Sequence, residues 1–152
     1  MNNFENCLHK KGGIELVEPN PNLAQAYILK AEESLKERNQ LKTRYWKITI
    51  TYYAMYFALY SILRRIGIKC EIHTCTLSFM KKLLTEQFNK EDMRLLEMAM
   101  KARVDEQYYT DRHIGPEQYE TIINAAPLFV AKCKNITLTD RNVEQIRTAL
   151  KK

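Results

Sequence analysis

Apolar residues along this chain recur mostly at spacings of three and four, which is the repeat of one helix face. From about Asn22, the residues Leu23, Tyr27, Ala31 and Leu35 form one such stripe. Lys30, Glu32, Glu33 and Lys36 lie opposite, so this first helix is predicted to wet one side. Asn22 with Gln25 three residues on is predicted to cap its start.

The second predicted helix spans about Thr43 to Ile66 and has a different character. Tyr45, Trp46, Ile48, Tyr52, Tyr53, Met55, Tyr56, Phe57, Leu59, Tyr60, Ile62 and Leu63 cover nearly every direction around it. A helix apolar all round belongs at the centre of a bundle or is shared with a partner subunit. Arg64 and Arg65 suit the negative end of its dipole, and Gly67 is its predicted stop.

Leu77, Met80, Leu84 and Phe88 predict a third helix from about Thr74 or Thr76 to Phe88. Asn89, followed by Glu91 and Asp92, predicts the start of a fourth, with Met93, Leu96, Met100 and Arg103 on one stripe and its stop at Gly115. Pro116 fits the first position of a fifth, with Tyr119, Ile122, Ile123, Ala126, Val130 and Cys133 facing inward. Pro127 lacks an N–H and is predicted to interrupt and kink that helix. A short basic helix after Thr139 and Asp140, striped by Val143, Ile146 and Leu150, completes the pattern. The prediction is an all-α, antiparallel up-and-down bundle of about five to six helices over residues 22–152. A loosely packed N-terminal arm precedes it over residues 1–21, where Gly12, Gly13, Pro19 and Pro21 break any periodicity.

Composition supports this picture. Four glycines and four prolines in 152 residues leave few turns and long elements. A chain of this length can bury about 70% of its unfolded surface, enough for one core without staples. The apolar run from Ile48 to Ile66 is broken by threonines, tyrosines and two arginines, so no membrane span is expected. Cys7, Cys70, Cys75 and Cys133 form no CxxC pair and there is no signal pattern, so free thiols in the cytoplasm are expected. The net charge of +6 is attractive to anions, but the basic residues are interspersed with acids and make no run of five.

Three groupings carry candidate chemistry. Tyr52, Tyr53, Tyr56 and Tyr60 could stack bases, although large aromatics at helical spacing more often fill a core. Cys70, His73 and Cys75 include zinc-ligand types, but they lack paired spacing and a fourth ligand, so neither a metal nor another cofactor is expected and His73 reads as a capping or contact residue. The third grouping runs from Arg103 to His113. Arg103 and Gln107 share one helix face, and Arg103 continues an apolar stripe, so its guanidinium points inward and needs a carboxylate or phosphate. Asp105, or an acid from another helix, is the internal alternative to a ligand.

The order of three segments resembles the HEPN domain superfamily, in particular its small stand-alone UPF0332-type proteins. Tyr52-Tyr-Ala-Met-Tyr-Phe-Ala58 is similar to the core of that family's second helix. Gly67-Ile-Lys-Cys-Glu-Ile-His73 is similar to its glycine-to-histidine connection, and Arg103-Val-Asp-Glu-Gln-Tyr108 to its arginine, acid, tyrosine pattern. The resemblance covers about residues 22–135. It implies a bundle that dimerises through its central helices. Relatives include metal-independent endoribonucleases, which have four to six residues between the arginine and a histidine, and partners of small nucleotidyltransferases in two-component, toxin–antitoxin-like systems.

Here the nuclease histidine positions hold Tyr108, Tyr109 and Thr110, while His113 lies ten residues on, roughly 15 Å along a continuing helix. Tyrosine is a poor general base at neutral pH. The resulting expectation is a homodimer that binds nucleotide or RNA phosphate, or a small nucleotidyltransferase partner. Arg103, Asp105, Tyr108 and Tyr109 would form its ligand site, with Tyr53 and His73 in support. The alternatives are a divergent endoribonuclease using Arg103 with Tyr109 or His113 as proton carrier, and a purely structural dimerisation module.

Overall fold

The most apolar segment of the sequence is the axis of the fold. In the computed structural model, which describes residues 3–151, a helix runs over Arg44–Ile66. Its residues Ile48, Tyr52, Met55, Leu59, Ile62, Leu63 and Ile66 are fully buried. In chain order the helices are α1 (Asn3–His9), α2 (Pro21–Arg38), α3 (Arg44–Ile66), α4 (His73–Leu83), α5 (Lys90–Tyr108), α6 (Pro116–Asn135) and α7 (Asp140–Ala149). Two short strands, β1 (Glu15–Leu16) and β2 (Ile68–Lys69), pair antiparallel. Met1, Asn2 and Lys152, at the ends of the predicted arm and of the basic last segment, lie outside the described residues.

Cross-contacts give the directions of the helices. Tyr27 meets Tyr60, and Arg38 reaches Thr51, so α2 runs antiparallel to α3. Arg44 lies over the Tyr119 ring and Arg65 bonds the Ile136 carbonyl, so α6 runs parallel to α3. Lys134 reaches Glu32 and Arg38 bonds the Ile123 carbonyl, which makes α6 antiparallel to α2. Arg103 of α5 meets Tyr52 in the middle of α3, and Asp92 at the start of α5 meets Lys132 near the end of α6, so α5 is antiparallel to both. Helices α2, α3, α5 and α6 thus form the expected all-α, up-and-down bundle. The all-round apolar surface of α3 is used mainly inside its own chain.

Local signals explain most helix ends. Asn89 and Asp92 form a reciprocal capping box at α5, as do Thr139 and Asn142 at α7. Gly67 adopts φ 88° and donates its N–H to the Leu63 carbonyl, ending α3 where the sequence predicts. A Cβ there would meet the Val17 carbonyl oxygen at 2.5 Å.

Three boundaries differ from the prediction. Helix α2 begins one residue early: Asn20 rather than Asn22 is the cap, accepting from Leu23 N, and Pro21 fills the first turn, where its missing N–H costs nothing. Helix α4 ends at Leu83, not Phe88, because the chain must turn before Asn89 can cap α5. Leu84 and Phe88 are still buried, with Phe88 stacked on Phe129. Helix α5 ends at Tyr108 rather than continuing to Gly115.

Pro127 does not interrupt α6. Proline at this position leaves the carbonyl four residues earlier without its helical donor. That carbonyl, on Ile123, accepts a bond of 2.8 Å from Arg38.

The N-terminal segment is not a loose arm. Cys7 and Ile14 are buried, and Cys7 on α1 forms a disulfide with Cys75 on α4, 68 residues away. This overturns the expectation of four free thiols; Cys70 and Cys133 remain free and buried. Spacing carries no record of the pairing, because it depends on α1 packing over α4. The strand pair is held in turn by Arg147 of α7, whose Nη1 donates to the carbonyls of Val17, Ile66 and Gly67. Among the described residues no helix is long and apolar enough to cross a membrane.

Closing a loop of this length restricts the unfolded chain by about 4 kcal/mol. Reducing the bond, or Cys7→Ser, is expected to lower the urea midpoint and to steepen the slope, because the unfolded chain without the cross-link is less compact. Equal midpoints for oxidised and reduced protein would show that the bond does not stabilise the fold.

Candidate functional site

Helix α5 buries Leu96, Ala99, Ala102 and Arg103, so the stripe that packs on α3 ends in a guanidinium. Arg103 is only 9% exposed. Its Nε is fully buried without a hydrogen-bond partner, and Nη1 donates to Gln107 Oε1 at 3.3 Å. Around it lie the rings of Tyr52 at 5.1 Å, Tyr53 at 5.4 Å and Tyr108 at 5.9 Å from the guanidinium carbon. Among the described residues no carboxylate is within ion-pair distance of it. Arginine does not escape burial by losing its proton. Aromatic faces and one amide oxygen only partly replace the lost water, since cation–π contacts contribute about 1–2 kcal/mol when desolvated.

The Tyr52 phenol bridges this cation to a histidine. Tyr52 Oη lies 2.6 Å from Nδ1 of His73, the first residue of α4. The His73 ring stacks on Tyr56 at 4.0 Å with 9° between planes, and meets Tyr53 edge-on at 5.9 Å. Tyr56 hydrogen bonds Thr76, and Tyr60 accepts from the backbone N–H of Cys70. Tyr52, Tyr56 and Tyr60 follow at four-residue spacing on α3, so one row of phenols positions the whole 70–76 segment.

The electrostatics follow from burial. Burial pushes the Tyr52 phenol well above its ordinary value, with Arg103 opposing only in part, so Tyr52 stays protonated. His73 is held below its ordinary value, first by burial and then by the Arg103 charge. The cluster therefore offers hydrogen-bond donors and a fixed cation, and no carboxylate or phenolate to act as a base.

The structure divides the predicted site residues into two groups. Arg103, Tyr53, Tyr108 and His73 come together. Asp105 does not join them: it faces Lys101 at 2.6 Å and Arg112 at 3.8 Å, because two residues of helix turn it away from Arg103. Tyr109 lies under the Arg112 guanidinium at 3.7 Å. Its backbone is extended, and the helix break after Tyr108 sends the chain toward α6 rather than back to the cluster. His113 is largely exposed and pairs with Glu106 at 3.5 Å. Neither Tyr109 nor His113 reaches Arg103 as a proton carrier.

Tyr52 and Gln107 complete the cluster. Spacing in α3 groups Tyr52 with the tyrosines of a core, and its role here depends on where α4 begins, which no spacing in α3 reveals. The cysteine and histidine grouping takes another form: Cys75 is in the disulfide, the Cys70 thiol donates to the Ile72 carbonyl, and His73 faces Tyr52. Among the described residues no group of three potential ligands could hold a metal ion.

The depressed proton affinity of His73 makes a pH prediction. A folded value below the unfolded 6.5 means that its contribution to stability is complete above about pH 6.5 and is lost as pH falls through the lower folded value. NMR titration of the His73 ring is expected to give a midpoint below 6.5, and Arg103→Met to move it upward. An unshifted midpoint in both proteins would contradict the burial and the proximity of Arg103. In comparisons with known proteins the chain matches no family model and no curated protein, so its function is read from this geometry.

Proposed function

We propose that the protein is a HEPN-like homodimer that binds the phosphate of a nucleotide or RNA through Arg103, without cleaving it. The observation that carries this reading is the buried guanidinium with an unpartnered Nε and no acid beside it. A buried charge left without a counter-ion is costly, and a phosphate would both neutralise it and accept its hydrogen bonds. Tyr108, 65% exposed at the rim, and Tyr53 supply aromatic faces for a base. A small nucleotidyltransferase with a bound nucleotide would present the same phosphate chemistry. Among the described residues no acid lies within ion-pair distance of Arg103, which favours a ligand over the purely structural alternative. The endoribonuclease alternative would use Tyr109 or His113 with Arg103, and their contacts are with Arg112 and Glu106 instead.

Calorimetric titration with adenosine 5′-monophosphate and a short RNA tests the reading. Arg103→Ala is expected to weaken binding at least about tenfold, the scale of one charge-assisted bond. Lys101→Ala, which removes an exposed cation outside the cluster, is expected to change it little. Equal binding by the wild type and Arg103→Ala, or none by either, would remove Arg103 as the ligand residue.

The dimer is supported by a partly exposed stripe on α3. Trp46, Ile50, Tyr53 and Phe57 recur at four, three and four residues, and Tyr53 among them borders Arg103, so a second copy placed on this stripe would lie beside the site. Sedimentation at micromolar concentration is expected to show twice the 18.0 kDa chain mass, and Trp46→Glu to shift it to one. A single-chain species for the wild type would refute the dimer.

A further inference from the structure

We infer that His73 is the second half of the phosphate site: Tyr52 fixes its ring so that Nε2 carries the proton, and Nε2–H donates to a phosphate oxygen held by Arg103. This rests on the phosphate-binding reading and gives it a second, independently testable residue.

The hydrogen-bond chain sets the tautomer. Only 2.6 Å separates Tyr52 Oη from His73 Nδ1. Either group could donate, and we take the buried phenol, which keeps its proton, as the donor. An Nδ1 that accepts from Tyr52 is unprotonated, so the neutral ring carries its proton on Nε2. Stacking on Tyr56 at 4.0 Å fixes the plane of the ring, and the Tyr56 hydroxyl is itself tied to Thr76. Among the described residues, no hydrogen bond involves Nε2. His73 is partly exposed, so a ligand can reach it.

Two further features place negative charge at this point. Helix α4 begins at His73 with Ile72 as its cap and no side-chain acceptor for its first N–H groups, so the positive end of its dipole is uncompensated. Arg103, nine-tenths buried with Nε unpartnered, lies close enough for its charge to disfavour a proton on His73. Tyr52 is in contact with both the cation and the histidine at the helix N-terminus. A phosphoryl group suits them, because its separate oxygens can accept from Arg103 and from Nε2–H together.

The test is a titration of the full chain with inorganic phosphate and with adenosine 5′-monophosphate, followed by calorimetry and by ¹⁵N spectra of the histidine rings. Wild-type His73 is expected to show the Nε2–H tautomer, and its Nε2 signal to move as phosphate is added. His73→Leu is expected to weaken binding about tenfold. His73→Gln, which keeps an N–H donor near the Nε2 position, should stay within about threefold. Tyr52→Phe should leave both tautomers populated. Inorganic phosphate binding as well as the nucleotide identifies the phosphoryl group as the determinant, whereas a response to the nucleotide alone, with Nε2 unmoved, overturns the assignment. Binding lost in Arg103→Ala but unchanged in His73→Leu would refute His73 and leave Arg103 standing. No binding by the wild type would refute both. If His73→Leu does not fold, the wild-type ¹⁵N response decides, and an Nε2 signal that stays still under saturating phosphate counts against the inference.

Discussion

Helix α3 is surrounded on nearly every side, and that burial governs the rest of the molecule. Apolar side chains along it need no partners beyond close packing. Its polar atoms do, because a buried hydroxyl without a hydrogen bond costs about 1–3 kcal/mol. Thr51 and Ser61 bond carbonyls of their own helix. Tyr52, Tyr56 and Tyr60 reach out instead, to His73, Thr76 and the Cys70 amide. The segment between α3 and α4 is thereby positioned from within the core. That is how His73, far from Arg103 in sequence, arrives beside it.

With Thr49 Oγ1 and Arg64 Nε, Arg103 Nε is one of three buried side-chain atoms among the described residues that escape this satisfaction, and Arg103 is the more buried of the two arginines. Its surroundings are aromatic rings and one side-chain amide, with no opposite charge. Natural cores seldom hold an arginine in this way unless something else completes the site. Asp105, the nearest acid in sequence, is drawn to Lys101 and Arg112 on another face.

The basic residues of the chain also read differently once their partners are known. Arg38, Arg44, Arg65 and Arg147 donate to backbone carbonyls of Ile123, Ile114, Ile136 and the β1–β2 region. These arginines join separate elements, so four of the 24 basic residues have a structural use. The Cys7–Cys75 bond and Arg147 act alike at the end of the bundle where α3 stops, fastening the N-terminal segment and β1 to the helices.

Apolar spacing and end signals made the bundle helices legible in the sequence. The apolar envelope of α3, Gly67, the Asn89 box and Pro116 each act over three or four residues, and a pattern of that range survives in one dimension. The inward direction of Arg103 was legible for the same reason, as was its sharing of a face with Gln107. The disulfide, the folded N-terminal segment and the turn after Leu83 were not. Each depends on groups brought together from distant positions or on where a chain must reverse. The meeting of Tyr52, His73 and Arg103 belongs to this second kind. Three helices contribute one residue each, and only their packing about α3 decides that the three side chains share one place.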